Sequence, residues 1–184
     1  MAYQELTRRR FIQMAGIGAT AATLFPTQAL ASLAQKPRIL AFNHLHTGER
    51  LETEYFDGTN YISGELSRID HIMRDFRRNE VHSMDKLLID QISTIQSMLG
   101  TTNEVQIIGG YRSPVTNEML RGKSSGVAKK SFHMLGQAID FRIEGVQLSK
   151  VRDAARALKA GGVGYYPKSD FLHIDTGSVR SWNG

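Results

Sequence analysis

The sequence contains no cysteine, and this absence limits the chemistry available to the protein. Without a thiol there is no disulfide framework, no thiolate nucleophile and no cysteine-ligated zinc or iron-sulfur centre. Any bound metal must therefore be held by His, Asp and Glu side chains. Long apolar runs are also missing, because the most apolar stretch, 14–25, is short and is interrupted by Gly16 and Gly18. A transmembrane helix needs about 20 strongly apolar residues, so this stretch does not predict one.

The first 31 residues have the parts of a twin-arginine (Tat) export signal in the right order. The motif Thr7-Arg8-Arg9-Arg10-Phe11-Ile12-Gln13 is followed by the weakly apolar stretch and by a small-residue cleavage site at Ala29-Leu30-Ala31. We therefore predict a Tat signal peptide at 1–31 and a mature chain at 32–184; the alternative is an uncleaved amphipathic anchor. Since the Tat route carries folded proteins, it favours a folded metalloprotein in the periplasm.

Composition and charge are those of an ordinary soluble domain. The 184 residues are 41% hydrophobic and 22% charged, which predicts one folded domain and argues against wholesale disorder. Removal of the leader lowers the formal net charge from +5 to +3, and we expect no nucleic-acid partner and, after signal cleavage, no membrane contact. The clearest basic cluster, Arg74, Arg77 and Arg78, lies among acidic residues and is interpreted as a solvated helix face. The oligomeric state stays open.

Hydrophobic periodicity predicts an α+β domain for the mature chain. Two short runs, 38–45 and 50–56, flank Gly48 and predict a β-hairpin at the edge of a sheet, and apolar residues at helical spacing predict helices over 65–78 and 87–99. Further strands are predicted at 104–109, 137–143, 163–166 and 171–175, and further helices from Ser113-Pro114 onward and over 149–160. We expect an antiparallel sheet with helices packed on one face and the other face open.

Two of these strands carry acids and imidazoles on the face that does not join the core. Asp140 lies on the polar face of one strand, and His173 and Asp175 lie on the polar face of the other. His133 precedes the first strand, and Gly136 permits a tight turn that brings its imidazole back over Asp140. Two imidazoles and one carboxylate are the ligands of a catalytic zinc, which keeps a fourth position for water. The spacing alone also fits surface histidines beside a strand-edge aspartate.

The segment Ser131 to Asp140, SFHMLGQAID, resembles the S-x-H-x-x-G-x-A-x-D signature of the LAS zinc peptidases, which include lysostaphin-type endopeptidases and D-Ala-D-Ala carboxypeptidases. Nearly the whole chain, leader included, is similar to Tat-exported murein endopeptidases of the YcbK or MepK type. The resemblance implies a hedgehog or D-Ala-D-Ala peptidase-like fold with a zinc cleft on the open face of the sheet. It also implies one Zn²⁺ per chain, held by His133, Asp140 and His173.

The same resemblance implies hydrolysis of peptidoglycan crosslinks, chiefly 3-3 bonds between two diaminopimelate residues and also D-Ala-diaminopimelate bonds. Arg112 and Ser131 are expected near the bound peptide, and Tyr166 is expected to line the cleft. Arg112 either helps to hold the oxyanion or grips a stem carboxylate. Two alternatives remain on this fold, a zinc D,D-carboxypeptidase or dipeptidase and a non-catalytic wall-binding module.

The general base has two candidates. Many relatives use the Glu of Glu-x-x-His or the other His of His-x-His, whereas this chain has Asp170 three residues before His173 and Asp175 two residues after it. Strand alternation places Asp175 on the face of His173 and favours it, with Asp170 second. The alternatives are that Asp175 only orients His173 and that Asp170 only shapes a turn. His44 and His46 have the His-x-His spacing but are interpreted as surface residues of the hairpin.

Overall fold

The chain folds into one β-sheet with helices packed against it. A computed structural model describes residues 36–124 and 126–184, and the signal peptide predicted at 1–31 lies outside them. The described elements are, in order, β1 (Arg38–His44), β2 (Arg50–Phe56), α1 (Ser63–Ile72), α2 (Lys86–Leu99), β3 (Val105–Gly109), α3 (Pro114–Arg121), a 3-10 turn (Phe132–Leu135), β4 (Ala138–Ile143), α4 (Leu148–Leu158), β5 (Gly162–Tyr166), β6 (Phe171–Asp175) and β7 (Arg180–Asn183). None of these helices is long and apolar enough to cross a membrane.

The seven described strands form a single sheet in the order β2-β1-β3-β4-β6-β5-β7. Most neighbours are antiparallel, but β1 runs parallel to β3 and β5 runs parallel to β7. The sheet is therefore mixed, which corrects the antiparallel sheet expected from the sequence. Both parallel pairs join strands that are not consecutive in the chain, and such pairs need a longer connection than a hairpin turn.

Several predicted elements are confirmed. Strands β1 and β2 pair as the predicted hairpin, in which Gly48 adopts a left-handed conformation with φ of 74°. Helix α2 ends where predicted, because Gly100 (φ 63°) takes the left-handed conformation that closes its last turn. Ser113 caps α3 by accepting a hydrogen bond from the Thr116 amide, and Pro114 is the first residue of the helix, as predicted.

The helix predicted over 65–78 is shorter, because α1 ends at Ile72. The buried Asp75 carboxylate accepts hydrogen bonds from the Arg77 amide, at 3.1 Å, and from the Ser113 amide, at 3.0 Å. A short polar side chain that bonds nearby backbone amides in this way competes with continuation of a helix. The interpretation of Arg74, Arg77 and Arg78 as a helix face is therefore wrong, since they lie in the loop that follows the helix.

The core lies between the sheet and the helices, on the face of β4 and β6 that was predicted to be apolar. Its members from these two strands are Ile139, Phe141, Ile143, Leu172 and Ile174, and α2 contributes Leu88, Ile89, Ile92 and Ile95. Burying each such side chain contributes about 1.5–3 kcal/mol. Alternation along the two strands leaves Asp140 and His173 on the opposite face, which is less deeply buried.

Candidate metal centre

Three side chains that the sequence predicted as a set converge on this second face. His133, Asp140 and His173 each place one ligand atom within 4.8 Å of the other two. Asp140 on β4 lies directly opposite His173 on β6 in the antiparallel register. His133 comes from the 3-10 turn that precedes β4. Two central strands and the turn leading into one of them therefore position the cluster.

The local sequence explains how the chain brings His133 over β4. The Ser131 hydroxyl accepts a hydrogen bond from the His133 amide at 3.3 Å and so caps the 3-10 turn. Gly136 then takes a left-handed conformation with φ of 67°, which confirms the tight turn predicted there. A Cβ atom on Gly136 would collide with the Ser83 carbonyl oxygen, so this position also requires a residue without a side chain.

In both histidines, the ring nitrogen that points away from the cluster faces a hydrogen-bond acceptor. His133 Nδ1 lies 2.8 Å from the Gly110 carbonyl oxygen. Because a carbonyl can only accept, Nδ1 carries the hydrogen and Nε2 presents its lone pair to the cluster. His173 Nε2 lies 3.1 Å from Asp175 Oδ2, which in the same way leaves His173 Nδ1 facing the cluster. Both tautomers are therefore those of metal-ligating histidines.

The spacing of the three inward atoms fits a tetrahedral metal ion. His133 Nε2 is 3.3 Å from His173 Nδ1 and 3.3 Å from Asp140 Oδ1, and His173 Nδ1 is 2.8 Å from Asp140 Oδ1. Ligands that bind zinc at about 2.0–2.1 Å in tetrahedral geometry are separated by about 3.3 Å. The nitrogen and oxygen donors are also those that Zn²⁺ accepts, so the residues present fit this ion.

The electrostatics of the cluster favour a cation. Burial opposes ionisation of Asp140, but the charges and hydrogen bonds of His133 and His173 outweigh it and hold the Asp140 pKa below its usual range. Burial also opposes protonation of His173, yet its hydrogen bonds to Asp140 and Asp175 raise its pKa to about 9. The two carboxylates therefore favour positive charge at the cluster, which is the charge that a metal ion would supply.

Asp175 lies behind His173 and has no exposed surface. Its two oxygens accept hydrogen bonds from five donors: His173 Nε2, the amides of Gly162 and Gly177, and Nη1 and Nη2 of Arg180. Burial raises the pKa of this carboxyl, but these contacts more than offset the effect and hold the pKa below its usual range. A carboxylate so fully engaged is suited to orient His173, the alternative role that the sequence left open.

Asp170 has the opposite surroundings. It is an exposed residue of the β5–β6 turn, with a left-handed φ of 52°. Its Oδ2 atom accepts a hydrogen bond from Arg142 Nη1 at 2.6 Å. Arg142 lies two residues beyond Asp140 on β4, and alternation puts both on the same face of the sheet. Asp170 therefore keeps a solvent-accessible carboxylate beside the face that carries the cluster.

A cleft of about 580 Å³ opens over the cluster. Arg112, Ser131 and Tyr166, the three residues predicted to contact substrate, all line it. The Arg112 guanidinium approaches to 3.7 Å from Asp140 Oδ2. The Tyr166 hydroxyl accepts a hydrogen bond from Trp182 Nε1 at 2.9 Å, and its ring stacks on Phe171.

Sequence reasoning missed several parts of the site. Arg180, which holds Asp175, and Trp182, whose ring centroid lies 5.4 Å from that of His173, both belong to the unpredicted strand β7. A four-residue edge strand shows too little alternation to be recognised. The interpretation of His44 as a surface residue is wrong, since His44 is 1% exposed and shares the core face of β1 with Phe42.

The family model and the curated relatives that match this chain carry the same description. The family model described as peptidoglycan L,D-endopeptidase MepK matches residues 32–182. The chain is 51% identical over 179 residues to peptidoglycan L,D-endopeptidase MepK of Escherichia coli K12, which covers 97% of this chain and 98% of the relative. It is 46% identical over 186 residues to the probable peptidoglycan L,D-endopeptidase MepK of Haemophilus influenzae, which covers 100% of both chains. No solved structure matches the chain significantly.

Proposed function

Since this chain belongs to the peptidoglycan L,D-endopeptidase MepK family of LAS-type peptidases, we propose that it hydrolyses peptide crosslinks of peptidoglycan. The bonds proposed are 3-3 crosslinks between two diaminopimelate residues and, second, D-Ala-diaminopimelate bonds. The observation that carries the proposal is the His133–Asp140–His173 cluster at the floor of an open cleft. The chain aligns over nearly its full length with proteins named as endopeptidases. It also has a side-chain cluster of the kind that supports amide hydrolysis.

The proposed cofactor is one Zn²⁺ per chain. His133 Nε2, Asp140 Oδ1 and His173 Nδ1 would hold it, because these are the atoms that face one another in the cluster. When bound, such an ion supplies a Lewis acid that polarises the substrate carbonyl and lowers the pKa of a water molecule to about 7. All other steps are assigned to side chains of this protein.

The proposed proton acceptor is Asp170, because its carboxylate is exposed whereas that of Asp175 is buried and saturated with donors. Asp170 takes a proton from the attacking water and returns it to the leaving amine, as a carboxylate does in general acid-base catalysis. Asp175 holds the His173 ring in its orientation. This reverses the order of preference that strand alternation favours, since alternation places a side chain on a face but does not determine its exposure.

Two further roles concern the substrate. Arg112 lies beside Asp140 with its guanidinium at the cleft, where it can stabilise negative charge that develops on the scissile carbonyl oxygen. Tyr166, Phe171 and Trp182 form an aromatic wall on the His173 side of the cleft and are proposed to pack against the stem peptide and exclude water. Ser131 is proposed to act through the turn that it caps, which positions His133.

The proposal is tested by chromatography of muropeptides from crosslinked sacculi digested by the mature chain, 32–184. The digests contain Zn²⁺, a chelator, or the His133→Ala variant, with His71→Ala, an exposed histidine of α1, as the matched control. We expect 3-3 dimers to decrease and monomers to increase only with zinc and an intact His133. Undiminished dimers under every condition would overturn the proposal, and release of free D-Ala alone would indicate a carboxypeptidase.

A further inference from the structure

A second pocket adjoins the metal cluster on the side of Asp140. It has a volume of about 200 Å³ and shares Arg112, Asp140 and Phe171 with the larger cleft. Arg74 and Arg77 from the loop after α1 also line it. Its lining residues thus include three guanidinium groups but one carboxylate, and that carboxylate faces the metal cluster. This charge balance is that of an anion-binding pocket.

Arg77 is the guanidinium of this pocket that has no carboxylate partner among the described residues. Arg74 pairs with Glu49 through two hydrogen bonds of 2.9 and 3.1 Å. Arg112 lies 3.7 Å from Asp140 Oδ2. Arg78, the next residue after Arg77, pairs with Glu80. Unlike these three arginines, Arg77 can therefore form an ion pair with a bound anion without breaking an existing one.

The Arg77 side chain is nevertheless held in place. Its guanidinium carbon lies 4.3 Å from the centroid of the Phe76 ring, which stacks in turn on His46 at 4.8 Å. Stacking of this kind positions the planar guanidinium and reduces the conformational entropy that it loses on binding a ligand.

The loop that carries Arg77 is fastened to the segment that carries Arg112. Asp75 is 2% exposed, and its Oδ1 accepts from the Arg77 amide while its Oδ2 accepts from the Ser113 amide at 3.0 Å and the Ser113 hydroxyl at 2.6 Å. The Tyr111 amide also donates to the Met73 carbonyl at 2.7 Å. A buried carboxylate and a backbone hydrogen bond therefore fix the two arginines relative to each other, so the site is pre-organised.

The two arginines also interact electrostatically. Two positive groups that face one small pocket repel each other, and an anion bound between them would remove that repulsion.

We propose that Arg77, beside Arg112, forms a subsite for a free carboxylate of the substrate, while Arg112 keeps its role at the scissile carbonyl oxygen. This inference rests on the proposed function. In a 3-3 crosslink the amine side of the scissile amide is a diaminopimelate centre, which carries its own carboxylate on the carbon bonded to the scissile nitrogen. That carboxylate must lie close to the metal cluster during hydrolysis, and the pocket beside Asp140 provides planar guanidinium donors that match its geometry. Arg77 is thus a specificity-determining residue for the acidic side of the crosslink.

The experiment measures KM and kcat of the zinc-loaded mature chain on a soluble 3-3 crosslinked dimer and on the same dimer with its free carboxylates amidated. Arg77→Ala and Arg77→Gln are compared with Arg78→Ala, which removes the same charge from the adjacent residue. We expect both Arg77 variants to raise KM on the acidic dimer about tenfold with kcat largely retained, and Arg78→Ala to behave as wild type. On the amidated dimer the wild type should show a similarly raised KM, and the Arg77 variants should show no further increase in KM.

The outcomes separate this inference from the proposed function. If the wild type cleaves the acidic dimer and the Arg77 variants match Arg78→Ala on both substrates, the subsite is overturned and the endopeptidase stands. If the wild type cleaves neither dimer, the proposed function fails and the subsite fails with it. A loss by the Arg77 variants that is equal on the acidic and amidated dimers would also overturn the subsite, and thermal unfolding of each variant checks that it is folded.

Discussion

At the residue scale, the two candidate aspartates differ in what surrounds them rather than in their distance from His173 along the chain. Asp175 receives five hydrogen bonds and has no access to solvent. Asp170 receives one from Arg142 and is exposed. A carboxylate that shuttles protons needs access to water and substrate, whereas one that orients a ligand needs fixed partners.

This difference predicts that two isosteric substitutions affect different quantities, one the Zn²⁺ affinity and the other kcat. Asp175→Asn should lower Zn²⁺ affinity by about 10–100-fold, because it weakens the contact that orients His173. Asp170→Asn should lower kcat by about 100-fold or more while leaving Zn²⁺ affinity unchanged, because it removes only the proton acceptor. Chelator competition measures the affinity, and the rate of dimer cleavage under saturating zinc measures kcat.

Asp153→Asn provides the control for both variants, since Asp153 is an exposed residue of α4. An Asp175→Asn protein that binds zinc as tightly as wild type but has lost its turnover would return the base to Asp175. An Asp170→Asn protein with unchanged kcat would remove Asp170 from the mechanism.

At the element scale, the short turn between the 3-10 helix and β4 is the part of the backbone on which the cluster most depends. Gly136 requires a left-handed φ, and its amide donates to the His133 carbonyl while its own carbonyl accepts from the Asp85 amide at 2.9 Å. The turn therefore connects the start of α2 with the metal site. Displacement of this turn would move His133 relative to Asp140, although neither side chain is altered.

We predict that Gly136→Ala destabilises the protein considerably more than Gly48→Ala. Both glycines have φ near +70°, so both substitutions incur the left-handed cost of about 1 kcal/mol. Only at Gly136 does the added Cβ collide with backbone, namely the Ser83 carbonyl, whereas nothing lies within 4 Å at Gly48. Urea denaturation should show a larger loss of unfolding free energy for Gly136→Ala, with weakened zinc binding. Equal losses in the two variants would contradict the steric role.

The early end of α1 shows why element boundaries were harder to predict than the elements themselves. Apolar spacing continues to Phe76, and this pattern favours a helix to that point. Asp75 ends the regular structure instead, through its bonds to Arg77 and to Ser113, 38 residues away in sequence. Local periodicity carries no information about a partner so distant, so the position of the Arg77 loop beside the cleft could not be foreseen.

At the scale of the whole molecule, we propose that export depends on the Tat signal predicted at 1–31 and that hydrolysis depends on the domain that follows it. The family model begins at residue 32, directly after the proposed cleavage site. We predict that Arg8→Lys with Arg9→Lys blocks export and leaves the precursor in the cytoplasm, whereas Arg10→Lys exports normally, because the first two arginines form the twin-arginine pair. Cell fractionation with immunoblotting measures the distribution. Periplasmic mature protein from the paired variant would show that another route exports it.

The sequence predicted the three clustered residues through short-range rules together with the resemblance of 131–140 to the LAS signature, because the spacing alone also fitted surface histidines beside a strand-edge aspartate. His133 and Asp140 are joined by one glycine turn, and alternation within a strand places His173 on the polar face. Tertiary structure decided everything that depends on distant partners. The Gly110 carbonyl, 23 residues from His133, selects the tautomer of that histidine. Arg180 on the unpredicted β7 forms an ion pair with the buried Asp175 carboxylate. Asp75 bonds both the Arg77 amide and Ser113 and so holds the Arg77 loop beside the segment that carries Arg112. Such contacts arise from packing between elements, which local sequence patterns do not encode.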